Sequence, residues 1–317
     1  MLVRFPSNPL RVGANILRLN RGEVASLLAI PAVYLLVDRW LMPGEVHLDY
    51  RPVGVLGTGV AIILGFRNNS AYDRWWEARK IWGGLVNASR TFSVNVLTLL
   101  RPPSSSSTSL VEECQRLQRR IVYRHLAFLH AVRLQLRELQ EWDCMAPFLD
   151  ENEKYLLESA VNRASQLNLA QAKDLALARE KGWLDAYSHV SLLRSLEDNT
   201  DLQGKAERIK GTVFPLYYSM YTRLFVWLFA ILFPATLLRE LGLLTLPVST
   251  VVSFVFVMLE RTARITENPF MNLAGDTPMT ALCRIIEIDL RQHLGETSIP
   301  SKLTTSRSEQ LGTEYLM

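Results

Sequence analysis

The polar and charged side chains that could best serve a function come directly after an apolar stretch of the chain. Pro52 to Phe66 is a run of 15 uncharged residues, after which the sequence becomes strongly polar at Arg67, Asn68 and Asn69. No helix breaker separates the two parts, so a continuous helix is predicted across the change. A helical spacing of four places Thr58, Ile62 and Phe66 in one narrow stripe along that helix.

The length of the apolar run leaves two hypotheses open. Fifteen helical residues cover about 22 Å, short of the roughly 30 Å hydrocarbon core of a bilayer. The polar residues that follow must therefore be kept away from lipid. In the first hypothesis the helix lines a watery passage, with Asn68, Asn69 and Ser70 at its mouth and the charged side chains from Arg67 to Lys80 beyond. In the second it is a membrane anchor with a charged cytoplasmic flank and Trp75-Trp76 at the interface.

The other reactive side chains give no pattern of catalysis or metal binding. His125 and His130 are five residues apart, which places them on different faces of a helix, so core or surface positions are favoured over metal ligation. The three cysteines form no CxxC pair and are expected to be reduced. HExxH, GxSxG and GxxxxGK[ST] are absent, so an enzyme is the least favoured class, and no catalytic residue, metal or cofactor is expected.

Composition indicates a protein that is part membrane-embedded and part water-exposed. Hydrophobic residues make up 49% of the 317 residues and charged residues 21%, with a mean hydropathy of +0.09. The net charge of +4 is not gathered into a basic stripe with interleaved aromatics. A nucleic acid is therefore not an expected partner.

Apolar runs and arginine-rich flanks predict an all-α, multi-pass membrane protein with both termini in the cytoplasm. Pro31 is expected to kink the first span, and Pro234 and Gly242 to bracket an external turn. The predicted segments are a cytoplasmic N-terminal segment (1–22), transmembrane helix 1 (23–42), a second helix running into the cytosol (52–88), a cytosolic helical domain (89–212), transmembrane helices 3 (213–236) and 4 (241–260), and a cytosolic C-terminal helix and tail (261–317).

Arg223 interrupts the third predicted span near its middle. A charge at that depth is costly unless it faces protein, water or a partner. The favoured explanation is a structural bond to a neighbouring helix, and the alternative is an influence on a conduction path. The polar tail from Thr297 onwards is either loose or wraps a neighbouring subunit.

One long motif resembles a known family. GFRNNSAYDRWWEARKIWG, from Gly65 to Gly83, resembles the signature of the bacterial bestrophins, a family of homopentameric ion channels. LQGKAERI at 202–209, ENPF at 267–270 and ALCRIIEIDLRQHLGE at 281–296 extend the likeness. The resemblance implies a bestrophin-like homopentamer around a central pore in the bacterial inner membrane, with four transmembrane helices per subunit. Its partners would be other copies of the chain, the lipid bilayer and permeant monovalent ions.

The resemblance also implies particular site residues. In the family, three rings of apolar side chains form a narrow neck, which falls at Phe66, Ile62 and Thr58, although Thr58 departs from the apolar pattern. A cytosolic aperture falls at Tyr187 and Ala186, where bacterial relatives usually have isoleucine preceded by aspartate. Structural roles are assigned to Arg74, Trp75, Trp76 and Arg223. The calcium clasp of animal members is not expected, because the segment NLAGDTP supplies only Asp276.

These inferences lead to a passive ion channel with a largely hydrophobic neck as the main hypothesis. The resemblance leaves the sign of the permeant ion open, because animal members pass anions such as chloride and bacterial members have been associated with cations. The alternative is a non-conducting membrane scaffold or receptor whose soluble domain binds a cytosolic partner.

Overall fold

The structure, a computed structural model, describes residues 9–104, 106–141, 143–212, 215–273, 275–304, 306–308 and 313–315. Ten α-helices lie in these ranges, and they confirm the predicted helical fold. They are α1 (Pro9–Leu19), α2 (Arg21–Trp40), α3 (Tyr50–Leu99), α4 (Thr108–Leu136), α5 (Glu151–Glu158), α6 (Arg163–Glu180), α7 (Ala186–Gly211), α8 (Leu216–Leu241), α9 (Thr245–Thr266) and α10 (Met279–His293). Two three-residue strands, β1 (Ser306–Ser308) and β2 (Thr313–Tyr315), pair antiparallel and are an addition to the all-α prediction.

The helix that carries the apolar stripe is the longest element of the protein. The 50 residues of α3 give it a length of about 75 Å. It begins at Asp49, whose carboxylate accepts a hydrogen bond from the Arg51 backbone N–H. The helix passes without a break through Phe66 and Arg67, in line with the prediction, and extends to Leu99. One rigid element therefore connects two parts of the protein.

The first part is an apolar bundle of α2, α8, α9 and the first half of α3. Its core contains Leu27 from α2, Val60 and Leu64 from α3, Val226 from α8 and Val257 from α9. These side chains are at most 5% exposed. The first half of α3 is therefore packed on one side, mainly against α8 and α9.

The α8–α9 stretch folds back on itself. Leu216–Thr266 is long and apolar enough to cross a membrane, and the Phe229 and Phe256 rings pack at 4.8 Å between centroids. The chain reverses at Gly242, which has φ +50°, a conformation that glycine adopts at low cost. Pro234 lies inside α8, so the prediction that it bounds the turn is wrong. Residues 213–214, where the third span was predicted to begin, lie outside the described residues.

A sharp bend separates the two N-terminal helices. Gly13–Leu19 and Arg21–Trp40 meet at 83° and reach the length and hydropathy of a membrane span only when taken together. Asn20 lies at the bend, where its side-chain amide donates to the Ile16 carbonyl at 2.6 Å. Pro31 lies within α2. The count of four spans stays a prediction.

The second part is a helical domain built from α4, α5, α6, α7, α10 and the second half of α3. Its core is centred on large side chains that are fully buried, among them Trp82, Phe92 and Phe128. α4 ends at Leu136, and Glu138, two residues later, has φ +57°. Residues 151–180 form two helices, α5 and α6, with a short connection between them.

Candidate functional site

The first half of α3 has one packed face and one open face. Val53, Gly57, Val60 and Leu64 are buried against the bundle. Within the protomer, Ile62 and Phe66 are 55% and 66% exposed. The apolar stripe therefore lies on the side of α3 that faces away from α8 and α9, and it is exposed in the protomer.

Thr58 continues this stripe toward the N-terminal end of α3. Its side chain is exposed, and its hydroxyl donates to the Gly54 carbonyl one turn earlier at 3.0 Å. The hydroxyl hydrogen is therefore used within the helix, and the hydroxyl oxygen can still accept a hydrogen bond. The open face thus combines two apolar levels with one polar level.

The predicted mouth residues divide between two faces. Asn69 and Ser70 are exposed and follow Phe66 on the open face. Asn68 instead turns toward α9, where its amide donates to the Leu64 carbonyl at 2.9 Å and the Leu259 carbonyl at 3.2 Å. Asp73, seven residues after Phe66, is exposed on the open face.

Arg67 does not lie along the open face, so the interpretation that placed it there is wrong. Its side chain is 1% exposed. One guanidinium nitrogen lies 3.2 Å from a Glu260 carboxylate oxygen, and another lies 3.3 Å from the Ser219 hydroxyl and 3.5 Å from the Glu267 carboxylate. These partners come from α8 and from the end of α9, far away in sequence, so local pattern gave no sign of them.

The signature residues after Arg67 anchor α3 to the ends of α7 and α9 and to the loop before α10. Arg74 donates to the Glu267 carbonyl at 3.0 Å and the Ile209 carbonyl at 2.7 Å. Burial lowers the pKa of Arg74 from its usual value. The Trp75 indole N–H donates to the Gly275 carbonyl at 2.9 Å. Trp76 is 47% exposed, with its ring 6.1 Å from that of Trp75.

The residues predicted for the cytosolic aperture form the first turn of α7. Asp185 caps this helix, with its carboxylate accepting hydrogen bonds from the backbone N–H groups of Tyr187 and Ser188. Those hydrogen bonds, together with one from the Ser188 hydroxyl, lower the pKa of Asp185. Ala186 is exposed and Tyr187 is 91% exposed. The aperture stays a prediction.

Arg223 is exposed on α8. Across the described part of the chain, no hydrogen bond or ion pair to its side chain is found, so the expected bond to a neighbouring helix is not made inside the protomer.

A groove of about 720 Å³ opens beside the stripe, between α3 and α8. Its walls include Gly54 and Thr58 on α3 and Phe229, Phe233 and Glu240 on α8. The groove is mostly apolar and adjoins the exposed face. The open surface of the bundle is therefore wider than a single helix stripe.

The histidines lie within the helical domain. His125 is completely buried, with its Nε2 2.9 Å from the Ser89 hydroxyl, and burial lowers its pKa to about 3. His130 stacks on Phe148, and burial lowers its pKa to about 3 as well. Among the described residues, no group of three or more His, Cys, Asp or Glu side chains is placed to hold a metal ion.

Comparison with known proteins gives a consistent result over most of the chain. The family model for the bacterial and fungal bestrophin proteins matches residues 13–292. The voltage-dependent anion channel-forming protein YneE of Escherichia coli K12 is 33% identical over 92% of this chain and 93% of its own length. The protein of the same name from Salmonella typhi is 33% identical over 88% of each chain.

Solved structures of bacterial bestrophin homologues also resemble this chain. The crystal structure of a bacterial bestrophin homologue from Klebsiella pneumoniae superposes with a TM-score of 0.79 at 26% identity. The match covers 87% of this chain and 98% of that one.

Proposed function

This chain belongs to the bacterial and fungal bestrophin family, and from that premise we propose that it forms a passive channel for monovalent ions in the bacterial inner membrane. In this proposal five copies surround a central pore, and both termini of each lie in the cytoplasm. The narrow neck is formed by Phe66, Ile62 and Thr58 from every copy. The helical domain encloses a vestibule, whose exit is narrowed by Tyr187 and Ala186.

The observation that carries the proposal is the open face of α3. Phe66 and Ile62 are 66% and 55% exposed, although Val60 and Leu64 on the packed face of the same helix are at most 2% exposed. The same uninterrupted helix then presents Asn69, Ser70 and Asp73 on that face. A helix that turns apolar and then polar side chains to one open side suits an axial path shared by several subunits.

The neck would act as a gate more than as a charge filter. Rings of apolar side chains resist wetting, and a narrow apolar constriction closes to ions when water leaves it. The Thr58 hydroxyl oxygen can accept a hydrogen bond from water and so eases hydration at its level, which leaves Ile62 and Phe66 as the two levels that resist wetting. Open probability should therefore depend mainly on the two apolar rings.

We assign anions as the favoured permeant class, because the relatives in Escherichia coli and Salmonella are named as anion channel-forming proteins. Asp73 works against this preference if it faces the vestibule, since its carboxylate attracts cations. The sign of the reversal potential under a salt gradient tests the assignment directly.

The experiment that tests the proposed function compares purified wild type with Phe66→Ala in planar bilayers, using only preparations shown to be pentameric. We expect ion currents whose size changes with the Phe66 substitution. If both proteins are silent, the channel is refuted. Binding of a cytosolic partner without ion flux would then favour a non-conducting scaffold or receptor.

A further inference from the structure

A buried cation lies directly beside the side chain proposed to close the neck. Arg67 follows Phe66 in sequence, and its side chain is 1% exposed inside an apolar bundle. Burying a charge is costly unless it is paired and hydrogen-bonded. Here the guanidinium meets Glu260 at 3.2 Å, Glu267 at 3.5 Å and the Ser219 hydroxyl at 3.3 Å. This cluster needs an explanation beyond packing, since an apolar side chain would fill the space without that cost.

The acidic partners lie at one end of α9. Glu260 is in its last two turns and is 6% exposed, and Glu267 follows its last residue. Glu267 holds α3 at two levels, because its carboxylate contacts Arg67 and its backbone carbonyl accepts from Arg74. Those two arginines are seven residues apart, which is two helical turns. The end of α9 therefore clamps the middle of α3.

The part of α3 on the N-terminal side of Phe66 is held in a different way. Gly57 packs so closely on Phe229 that an added Cβ would lie 2.8 Å from the ring, and Val60 and Leu64 are buried in the apolar core. Such contacts have no fixed direction, whereas hydrogen bonds to a planar guanidinium do. The clamp at Arg67 therefore sets the rotation of α3 about its own axis.

That rotation determines where Phe66 points. Adjacent residues of a helix are about 100° apart, so fixing the direction of Arg67 fixes that of Phe66. A helix with side chains has a radius of about 5–6 Å, so a turn of roughly 20° moves the Phe66 ring by about 2 Å. A shift of that size in every subunit is large compared with a narrow apolar neck.

We propose that Glu260 and Glu267 are positioning residues of the gate, which hold Phe66 in its constricting orientation by binding Arg67. The inference rests on the proposed channel function. It assigns the end of α9 as the lever that opens or closes the neck. Any movement of this segment would be transmitted to α3 through the Arg67 cluster.

The test is single-channel recording of Glu260→Gln in planar bilayers. Glutamine keeps an oxygen acceptor and nearly the same shape but removes the charge. We expect at least a fivefold change in open probability, with an unchanged single-channel conductance and an unchanged assembly size. The exchanged pair Arg67→Glu with Glu260→Arg should move the open probability back toward wild type.

Arg261→Gln is the matched control. It breaks another ion pair of α9, at 2.8 Å to Glu23, which joins α9 to α2 instead of α3. A merely structural role would lower the melting temperature of Glu260→Gln without altering the gating of assembled channels. If Glu260→Gln does not assemble, Glu267→Gln decides the question with the same readout.

The outcomes separate the inference from the function on which it rests. Wild-type open probability in assembled Glu260→Gln or Glu267→Gln, beside altered currents in Phe66→Ala, would overturn the inference alone. Silence of wild type and Phe66→Ala would overturn the channel itself. A change in Arg261→Gln equal to that in Glu260→Gln would also overturn the inference, because the effect would then not be specific to the contact with α3.

Discussion

Replacing Phe66 with alanine should open the neck while leaving the protomer folded. Phe66 is 66% exposed, so only about a third of the 3–5 kcal/mol typical of a buried Phe→Ala change applies, or about 1–1.5 kcal/mol per protomer. The exposed two thirds of a side chain of about 200 Å² amount to about 130 Å² of apolar surface. The cost of wetting it is about 3 kcal/mol per subunit at 25 cal/mol per Å².

This estimate sets the expected size of the effect on conduction. Five subunits together would remove about 15 kcal/mol of unfavourable hydration from the neck. If only a tenth of it enters the barrier to wetting, the barrier falls by about 1.5 kcal/mol, and ion flux rises about tenfold. The assay is ion flux into liposomes at matched protein density, followed by single-channel recording.

Leu224→Ala is the control for this prediction. Leu224 is 57% exposed on α8 and so resembles Phe66 in the protomer, but it does not lie on the open face of α3. We expect flux close to wild type. Flux from assembled Phe66→Ala that equals both wild type and Leu224→Ala would refute the account of the neck.

Three further predictions concern charge, packing and pH. Asp73→Asn should shift selectivity toward anions about threefold, since five carboxylates about 10 Å from an ion contribute roughly 0.6 kcal/mol after screening at 0.15 M salt. The reversal potential measures this shift, and an unchanged value would show that Asp73 does not face the vestibule. Gly57→Ala should destabilise the protein by about 1–3 kcal/mol, because its Cβ would lie 2.8 Å from the Phe229 ring. The control is Gly83→Ala, whose Cβ would meet no atom within 4 Å. Equal losses of stability in the melting curves of the two variants would contradict the prediction. Burial raises the pKa of Asp276 to about 6, so its favourable contribution is complete below its unfolded pKa of about 3.9 and is lost as the pH rises through 6. The melting temperature of Asp276→Asn minus that of wild type should therefore increase from pH 5 to pH 7.5, and a constant difference would contradict the raised pKa.

The sequence predicted the continuity of α3 for a physical reason that is local. No helix breaker stands where the sequence changes from apolar to polar at Phe66 and Arg67. The spacing of four places Thr58, Ile62 and Phe66 on one side of a helix, whatever surrounds that helix. The structure leaves that stripe open. Periodicity could not show which side of α3 would be open, because the glycines, valines and leucines of its other face are also apolar.

The misplacement of Arg67 shows where local reasoning stops. A charge that follows an apolar run usually marks the end of a span, but this one is buried because Glu260 and Glu267 reach it from α9. Such pairing depends on tertiary packing between segments almost 200 residues apart. Pro234 was misread for a similar reason, since it lies within a helix that packs against its neighbours and reverses only at Gly242.

Arg223 marks a second limit. Sequence showed that a charge in a predicted span needs a partner, and the single chain provides none among its described residues. The two-residue aperture prediction at Tyr187 and Ala186 is limited in the same way, because exposure in one protomer does not define what faces a shared axis.

The central claim is that the open face of α3 lines a water-filled path, and cysteine modification tests it most directly. Ile62→Cys would be made in a background without Cys114, Cys144 and Cys283, and a charged, membrane-impermeant thiol reagent would be applied during single-channel recording. The account predicts that current through Ile62→Cys changes abruptly on modification, while Val60→Cys, at a position only 2% exposed, does not respond. Unchanged current through Ile62→Cys, with its modification proved by mass spectrometry, would contradict the claim.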